Sequence, residues 1–322
     1  MKHDIVFGID GGGTRSRIAV ATLSGDILCR LEGASTNMYA SSHEQVERVL
    51  TELLSDACAK CGCALSDIAG GCLGSAGLSR PNERKKFSAF FSQLLGSDVP
   101  VALCNDAEIL LVGGIGKLEG ICVIAGTGSI ALGRLVDGTL ARAGGLGWRL
   151  GDEGSAWWIV QQAVCRSLRS EERRDYPTGL LTPLLGHFGL CEAWELVPLF
   201  NGDSLDKGRI ASAAPLVTIA AQDGDPLALD ILHRAADELY GLVASIVRQL
   251  PELGSSRLVN AGGVFEHDDV VSVRFEAQLR KHLPQVIHEP AEGSALDGAL
   301  LLAKDAVAAT GRIDARNGDR SF

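Results

Sequence analysis

Ile9-Asp10-Gly11-Gly12-Gly13-Thr14-Arg15-Ser16 decides how this chain is read. The apolar run Ile5-Val6-Phe7-Gly8-Ile9 leads into it and predicts a buried strand. Three glycines then predict a tight turn, because glycine takes φ > 0 and puts no Cβ above the backbone. Successive free N–H groups in such a turn form a nest that suits a phosphate. Arg17 to Leu23 predicts a second strand. A dinucleotide fold or a Walker loop would place a helix directly after the glycines. Here the glycines close a β-hairpin, with the carboxylate of Asp10 at its mouth. A plain hairpin turn explains this stretch equally well when it is taken alone.

The chain repeats the pattern. Ile121-Cys122-Val123-Ile124-Ala125-Gly126-Thr127-Gly128-Ser129 is again an apolar strand entering a glycine turn, and Ile130 to Leu135 continues as a strand. Asp137-Gly138 makes the next turn, where the first copy has Ser24-Gly25-Asp26. Gly126 follows Gly11 by 126 − 11 = 115 residues. Two copies of strand, phosphate turn, strand, turn, strand predict a duplicated fold with a phosphate loop in each half.

Composition narrows the class. The 322 residues suffice for two domains, and 46% hydrophobic with 22% charged content is ordinary for a globular chain. A net charge of −10 and a pI near 5.2 argue against nucleic acid or an anionic membrane as partner. No apolar run reaches the ~18 residues of a membrane helix. The first strand begins by Ile5, which leaves no room for a signal peptide. Nine cysteines without a secretory segment then fit a reducing cytoplasm.

Strands alternate with helices along the first half, which predicts an α/β domain. Ser41 with Glu44 predicts a capping box for a helix carrying Val46, Val49, Leu50, Leu53 and Leu54 on one face. Ile68 to Ser75 predicts a strand, Asn82 to Leu95 a helix, and Val99 to Cys104 a strand that delivers Asn105-Asp106. Ligands of open α/β sheets sit at the C-terminal ends of strands, where Asp10, Ser75 and Asp106 fall. In the second half, the loop from Gly144 to Ser155 is dense in glycine and acid. Helices are expected from Ala156 through Leu168, Pro226 to Leu250, Val271 to Leu283 and Ala295 to Ala309. Arg257 to Val259 predicts a strand entering Asn260-Ala261-Gly262-Gly263-Val264.

Taken together, these motifs resemble the sugar-kinase branch of the actin, heat-shock chaperone and hexokinase fold. They are most similar to the BadF/BadG/BcrA/BcrD ATPase family and its N-acetylglucosamine kinase members. The resemblance covers nearly the whole chain, in order. It implies an α/β fold of two ribonuclease-H-like domains with a nucleotide cleft between them. The N-terminal domain would span 1–116 and the C-terminal domain 117–294. A final helix, about 295–310, would pack back on the first, with 311–322 as a frayed tail.

The resemblance also implies chemistry. Gly11, Gly12, Gly13 and Thr14 would form the first phosphate motif, Gly126, Thr127 and Gly128 the second, and Gly262 and Gly263 the adenosine motif. Asp106 would be the catalytic base, and Asp10 would hold Mg²⁺ through water. Asn37, Ser75, Asn105, Asp106, Ser129, Gly147, Trp148 and Asp152 would contact the sugar. The implied activity is ATP-dependent phosphorylation of an amino sugar at the 6-hydroxyl. N-acetylglucosamine leads among the substrates; glucosamine, N-acetylmuramic acid and glucose stay open, and a homodimer is compatible. The family's other branch gives the alternative, an iron–sulfur ATPase that activates a partner dehydratase.

Each residue also has a plainer reading. Asp10 could simply form a turn, and Asp106 could be the N-cap of a helix over Ala107 to Leu111. Asn37 and Asp152 could cap loops. Trp148 is expected against a sugar face, with Trp157 and Trp158 as helix core. Cys58-x-x-Cys61-x-Cys63 lacks the fourth ligand that structural zinc normally takes.

Overall fold

The computed structural model describes residues 5–12, 15–36, 42–202 and 205–318. The elements follow one another as β1 (Ile5–Gly11), β2 (Arg15–Thr22), β3 (Ile27–Ala34), α1 (His43–Cys61), β4 (Ile68–Ser75), α2 (Pro81–Leu95), β5 (Val101–Cys104) and α3 (Asp106–Ile115). Next come β6 (Gly120–Ala125), β7 (Ser129–Arg134), β8 (Leu140–Gly144), α4 (Ala156–Glu171), α5 (Leu181–Phe188), α6 (Leu196–Asn201), α7 (Lys207–Ala211) and α8 (Ala214–Gln222). The chain closes with α9 (Pro226–Gln249), β9 (Arg257–Ala261), α10 (Gly263–His267), α11 (Asp269–His282), β10 (Ile287–His288) and α12 (Ala295–Gly318).

Two compact units result. The first comprises residues 1–120, 134–138 and 290–322, and the second 121–133 and 139–289. The first sheet has the order β3-β2-β1-β4-β5, and the second β10-β9-β6-β7-β8. Read from the opposite edge, the second order is the first with five added to each strand number. The repeat 115 residues apart is therefore a repeat of topology as well as of sequence. In the first sheet β1 runs antiparallel to β2 and parallel to β4.

In the first unit, one face of the sheet packs Phe7, Ile9, Ile18 and Val20 against Val46, Leu50 and Leu54 of α1 and against Phe87 and Phe91 of α2. Fully burying each of these large side chains contributes about 1.5–3 kcal/mol. On the other face α12 lies over β1, so close that a Cβ on Gly8 would sit 2.9 Å from that of Ala299. α12 also crosses α3 at Gly113 and Gly298, where side chains would collide with the carbonyls of Ser294 and Ile109. The chain's last helix is thus fastened to its first unit. In the second unit, α9 buries Ile231, Leu232, Ala235, Leu239, Val243 and Ile246.

Several expectations shift. The box that caps α1 is Ser42 with Gln45, each side chain bonded to the other's backbone N–H; Ser41 lies outside the described residues. Asn105, not Asp106, caps α3, its Oδ1 accepting from the N–H of Glu108 at 2.7 Å. The division falls at Gly120 and near Pro290 rather than at 116 and 294, and residues 134–138 join the first unit. Instead of ending near 310, α12 continues to Gly318. Gly311 alone does not stop it, since a helical glycine costs only about 1 kcal/mol and no proline follows. Helices α5 to α8 were not anticipated. None exceeds nine residues, too short for a hydrophobic period to declare itself. Among the described residues, no helix is long and apolar enough to cross a membrane.

Candidate functional site

In the first unit, β1 and β4 are parallel neighbours that end together, with Asp10 opposite Gly74 and Gly11 opposite Ser75. β5 pairs with β4 and ends one residue before Asn105. The sheet therefore gathers Asp10, Ser75, Asn105 and Asp106 at one end. Of the first phosphate motif, Gly11 and Gly12 are described. Gly13, Thr14 and the expected sugar contact Asn37 lie outside the described residues.

Asp106 is the first residue of α3, and its Oδ1 accepts from the N–H of Ala107 at 3.0 Å. Lost hydration pushes its carboxyl above the usual carboxylate range, backbone N–H groups pull it down, and the charge of Asp10 pushes it up again. A carboxylate whose pKa is raised is a stronger proton acceptor than an exposed one. Asp10 is held from the adjacent strand, with Arg17 Nη2 2.5 Å from its Oδ2. Hard cations prefer carboxylate oxygens, and Asp10 keeps its second oxygen unbonded among the described residues. The donor set therefore fits Mg²⁺ through water. Two residues beyond Asp106, Glu108 is buried and paired with Arg134 at 3.3 Å, and Arg134 also donates to the carbonyls of Leu118 and Leu135.

In the second unit, the glycine turn after β6 is tied to the acidic loop. The carbonyl of Gly126 accepts from Ala156 N–H at the start of α4, and the hydroxyl of Ser129 donates to the Glu153 carbonyl at 2.7 Å. Ser129 thus fastens the loop to the turn. Asp152 is 6% exposed and has φ 63°, a left-handed conformation that Asp tolerates better than most residues. Its Oδ1 accepts from Ser129 N–H at 3.4 Å, and Gly147 N–H also bonds the carboxylate. Gly128 makes room for it: a Cβ there would lie 2.9 Å from Oδ2. Burial raises the Asp152 pKa, Glu153 adds to that, and the two N–H groups and Lys207 oppose it. Trp148 packs tilted against Trp157, ring centroids 4.9 Å apart at 59°, and the Arg149 guanidinium carbon lies 4.6 Å from the Trp148 ring centroid. Trp157 and Trp158 are core, as expected.

Gly262 and Gly263 divide their roles. Gly262 has φ 100°, and a Cβ on it would sit 2.5 Å from the carbonyl oxygen of Ala125. The close approach it permits is to the end of β6 and the second glycine turn. Gly263 opens α10 and lines a cavity of about 380 Å³ with Ile159, Ala211, Pro215, Ile219 and Val264. Nothing in the sequence marked this cavity, because most of its wall is the α7–α8 segment. The cysteines also shift. Cys29 of β3 donates its thiol to the Ala57 carbonyl at 3.5 Å and lies close enough to Cys58 and Cys61 to interact with them, so a fourth thiol neighbours Cys58, Cys61 and Cys63. Even so, among the described residues no group of three or more His, Cys, Asp or Glu is placed to hold a metal ion.

A duplicated five-stranded α/β unit with a glycine turn in each copy defines the class: a two-domain phosphotransferase fold of the actin type. A solved structure from Chromobacterium violaceum, a candidate N-acetylglucosamine kinase, matches with a TM-score of 0.67 and 27% identity, over 93% of this chain and 98% of that one. The model of the BadF/BadG/BcrA/BcrD ATPase family matches residues 7–298, and the chain belongs to that family. An N-acetylmuramic acid/N-acetylglucosamine kinase from Clostridium acetobutylicum is 34% identical over 94% of this chain and 99% of its own length. An N-acetyl-D-glucosamine kinase from Dictyostelium discoideum is 27% identical over 92% of this chain and 98% of its own.

Proposed function

We propose that this protein is an ATP-dependent amino-sugar kinase that phosphorylates N-acetylglucosamine at its 6-hydroxyl. The observation that carries the reading is Asp106 at the start of α3, gathered with Asp10 and Ser75 at one end of the first sheet. The names of the relatives support the substrate class.

In this reading the sugar hydroxyl attacks the terminal phosphorus of ATP, Asp106 takes the hydroxyl proton, and ADP leaves. Phosphoryl transfer asks mainly for positioning and charge stabilisation, plus one residue to orient the nucleophile. Ser75 and Asn105 belong to the sugar side of the first unit, and Gly147, Trp148 and Asp152 to that of the second. Gly11 and Gly12 in one unit and Thr127 and Gly128 in the other would offer backbone N–H groups to phosphate, while the Gly126 N–H closes its own turn on the Gly128 carbonyl at 2.9 Å. The 380 Å³ cavity beside Gly263 takes the base. Asp10 would hold Mg²⁺ through water; when bound, the ion offsets charge on the phosphate oxygens.

The test is a coupled ADP-release assay with Mg²⁺ across N-acetylglucosamine, N-acetylmuramic acid, glucosamine and glucose, with the product examined by ³¹P NMR. N-acetylglucosamine should give the highest kcat/KM and a 6-phosphate ester. Failure of every sugar to raise ADP release above background would refute the reading.

A further inference from the structure

The pairing of Asp10 with Arg17 remains unused in the mechanism above. The two are directly opposite in the β1–β2 ladder, so their side chains leave the same face of the sheet. Arg17 has a second carboxylate within choice: Glu32 is its cross-strand neighbour on β3. Glu32 is engaged by Arg15 instead, at 2.9 Å, and Arg30 by Asp297, at 2.9 Å. Each arginine of the hairpin has its own partner, and Arg17 is left to Asp10. The Asp10 side chain is only 14% exposed, which strengthens this pair relative to a surface one.

A guanidinium is always charged and presents a rigid fork of donors. Engaging Oδ2, it fixes the plane of the Asp10 carboxylate and leaves one oxygen for other partners. It also cancels the charge that would draw a divalent ion into direct contact. We propose that Arg17 is a positioning residue: it orients Asp10 and keeps a divalent cation from binding the carboxylate directly, so that the ion stays with the nucleotide phosphates. This rests on the Mg²⁺–ATP reading of the site.

The expected signature is unusual for lost support. Without Arg17, Asp10 should bind a cation more tightly while the reaction slows. A unit charge about 6 Å from a divalent ion in water changes its affinity about tenfold. The experiment measures Mn²⁺ binding to nucleotide-free protein by the EPR signal of the free ion, alongside steady-state kinetics. In Arg17→Met, the Mn²⁺ Kd should fall about tenfold and kcat about tenfold, with the sugar KM within twofold of wild type. Arg17→Lys, which keeps the charge, should restore the Mn²⁺ Kd to the wild-type value. Arg30→Met, which breaks the neighbouring pair with Asp297, should leave Mn²⁺ binding and kcat unchanged. An Arg17→Met protein that binds Mn²⁺ no more tightly than wild type, or that turns over within twofold of it, overturns the proposal. So does an equal change in Arg30→Met. Should the wild type turn over no sugar, the function reading fails, and the Mn²⁺ comparison still decides the role of Arg17.

Discussion

Replacing Gly262 by alanine should destabilise the second unit, and the structure gives the size of the effect. At φ 100° and ψ 158° the backbone lies in a region that is essentially glycine-only, where another residue costs about 1–3 kcal/mol. The added Cβ would meet Ala125 O at 2.5 Å, Ala125 C at 2.7 Å and Gly126 N at 3.0 Å. All three are backbone atoms, and a Cβ has no rotamer by which to move away. Overpacking of this kind costs about 1–3 kcal/mol. The sum, about 2–6 kcal/mol, is a large part of a domain's usual 5–15 kcal/mol. Gly263→Ala is the control, because a Cβ there meets nothing nearer than His267 Cδ2 at 3.7 Å. Urea unfolding followed by the fluorescence of Trp157 and Trp158 reads the second unit. An unfolding free energy for Gly262→Ala within about 0.5 kcal/mol of both wild type and Gly263→Ala would refute the steric argument. Because the clash falls on the turn after β6, whatever folded Gly262→Ala remains should also bind ATP more weakly.

Other substitutions separate the acids. Asp106→Asn should lower kcat by ~10²–10⁴ with little change in the sugar KM, whereas Asp152→Asn should chiefly raise that KM; the reverse order in steady-state kinetics would put the base on the wrong loop. Because the base must be ionised and its pKa is raised, kcat/KM should climb with pH through a midpoint above the ordinary carboxylate range, and a limb at or below that range would contradict the shift. The raised pKa also means that the stability Asp106 contributes is present below its unfolded value and lost as pH rises through the folded one. The melting temperature of Asp106→Asn relative to wild type should therefore increase from pH 4 to pH 7. Glu108→Ala leaves Arg134 buried without its carboxylate and should cost about 3–5 kcal/mol in urea unfolding, against little for a variant of the exposed Glu172.

What the sequence made legible was local. An apolar run into glycines predicts strand and turn because the information lies within a few residues. The same pattern 115 residues later predicted the second sheet, whose strand order repeats the first. The end of β5 predicted the place of Asp106. Contacts that close over long stretches could not be read this way. Cys29 meets Cys61 only because β3 packs against α1, and Glu108 meets Arg134 only because the end of β7 comes back to α3. The Asp10–Arg17 pair is intermediate: counting outward from the glycine turn aligns the two, but no pattern says that Glu32 is already taken by Arg15.

Asp152 shows how much of a residue's physics lies outside its sequence pattern. Its place in an acidic glycine loop marked it as a partner for sugar hydroxyls. The fold adds that its carboxylate accepts from the N–H groups of Ser129 and Gly147, and that Gly128 has no side chain so that it fits. The loop assigned to the sugar and the loop assigned to phosphate are therefore held by one carboxylate within one unit. Moving that group should shift the glycine turn along with the acidic loop. Asparagine removes the charge while keeping one oxygen to accept from the Ser129 N–H; alanine would release both loops together and confound binding with transfer.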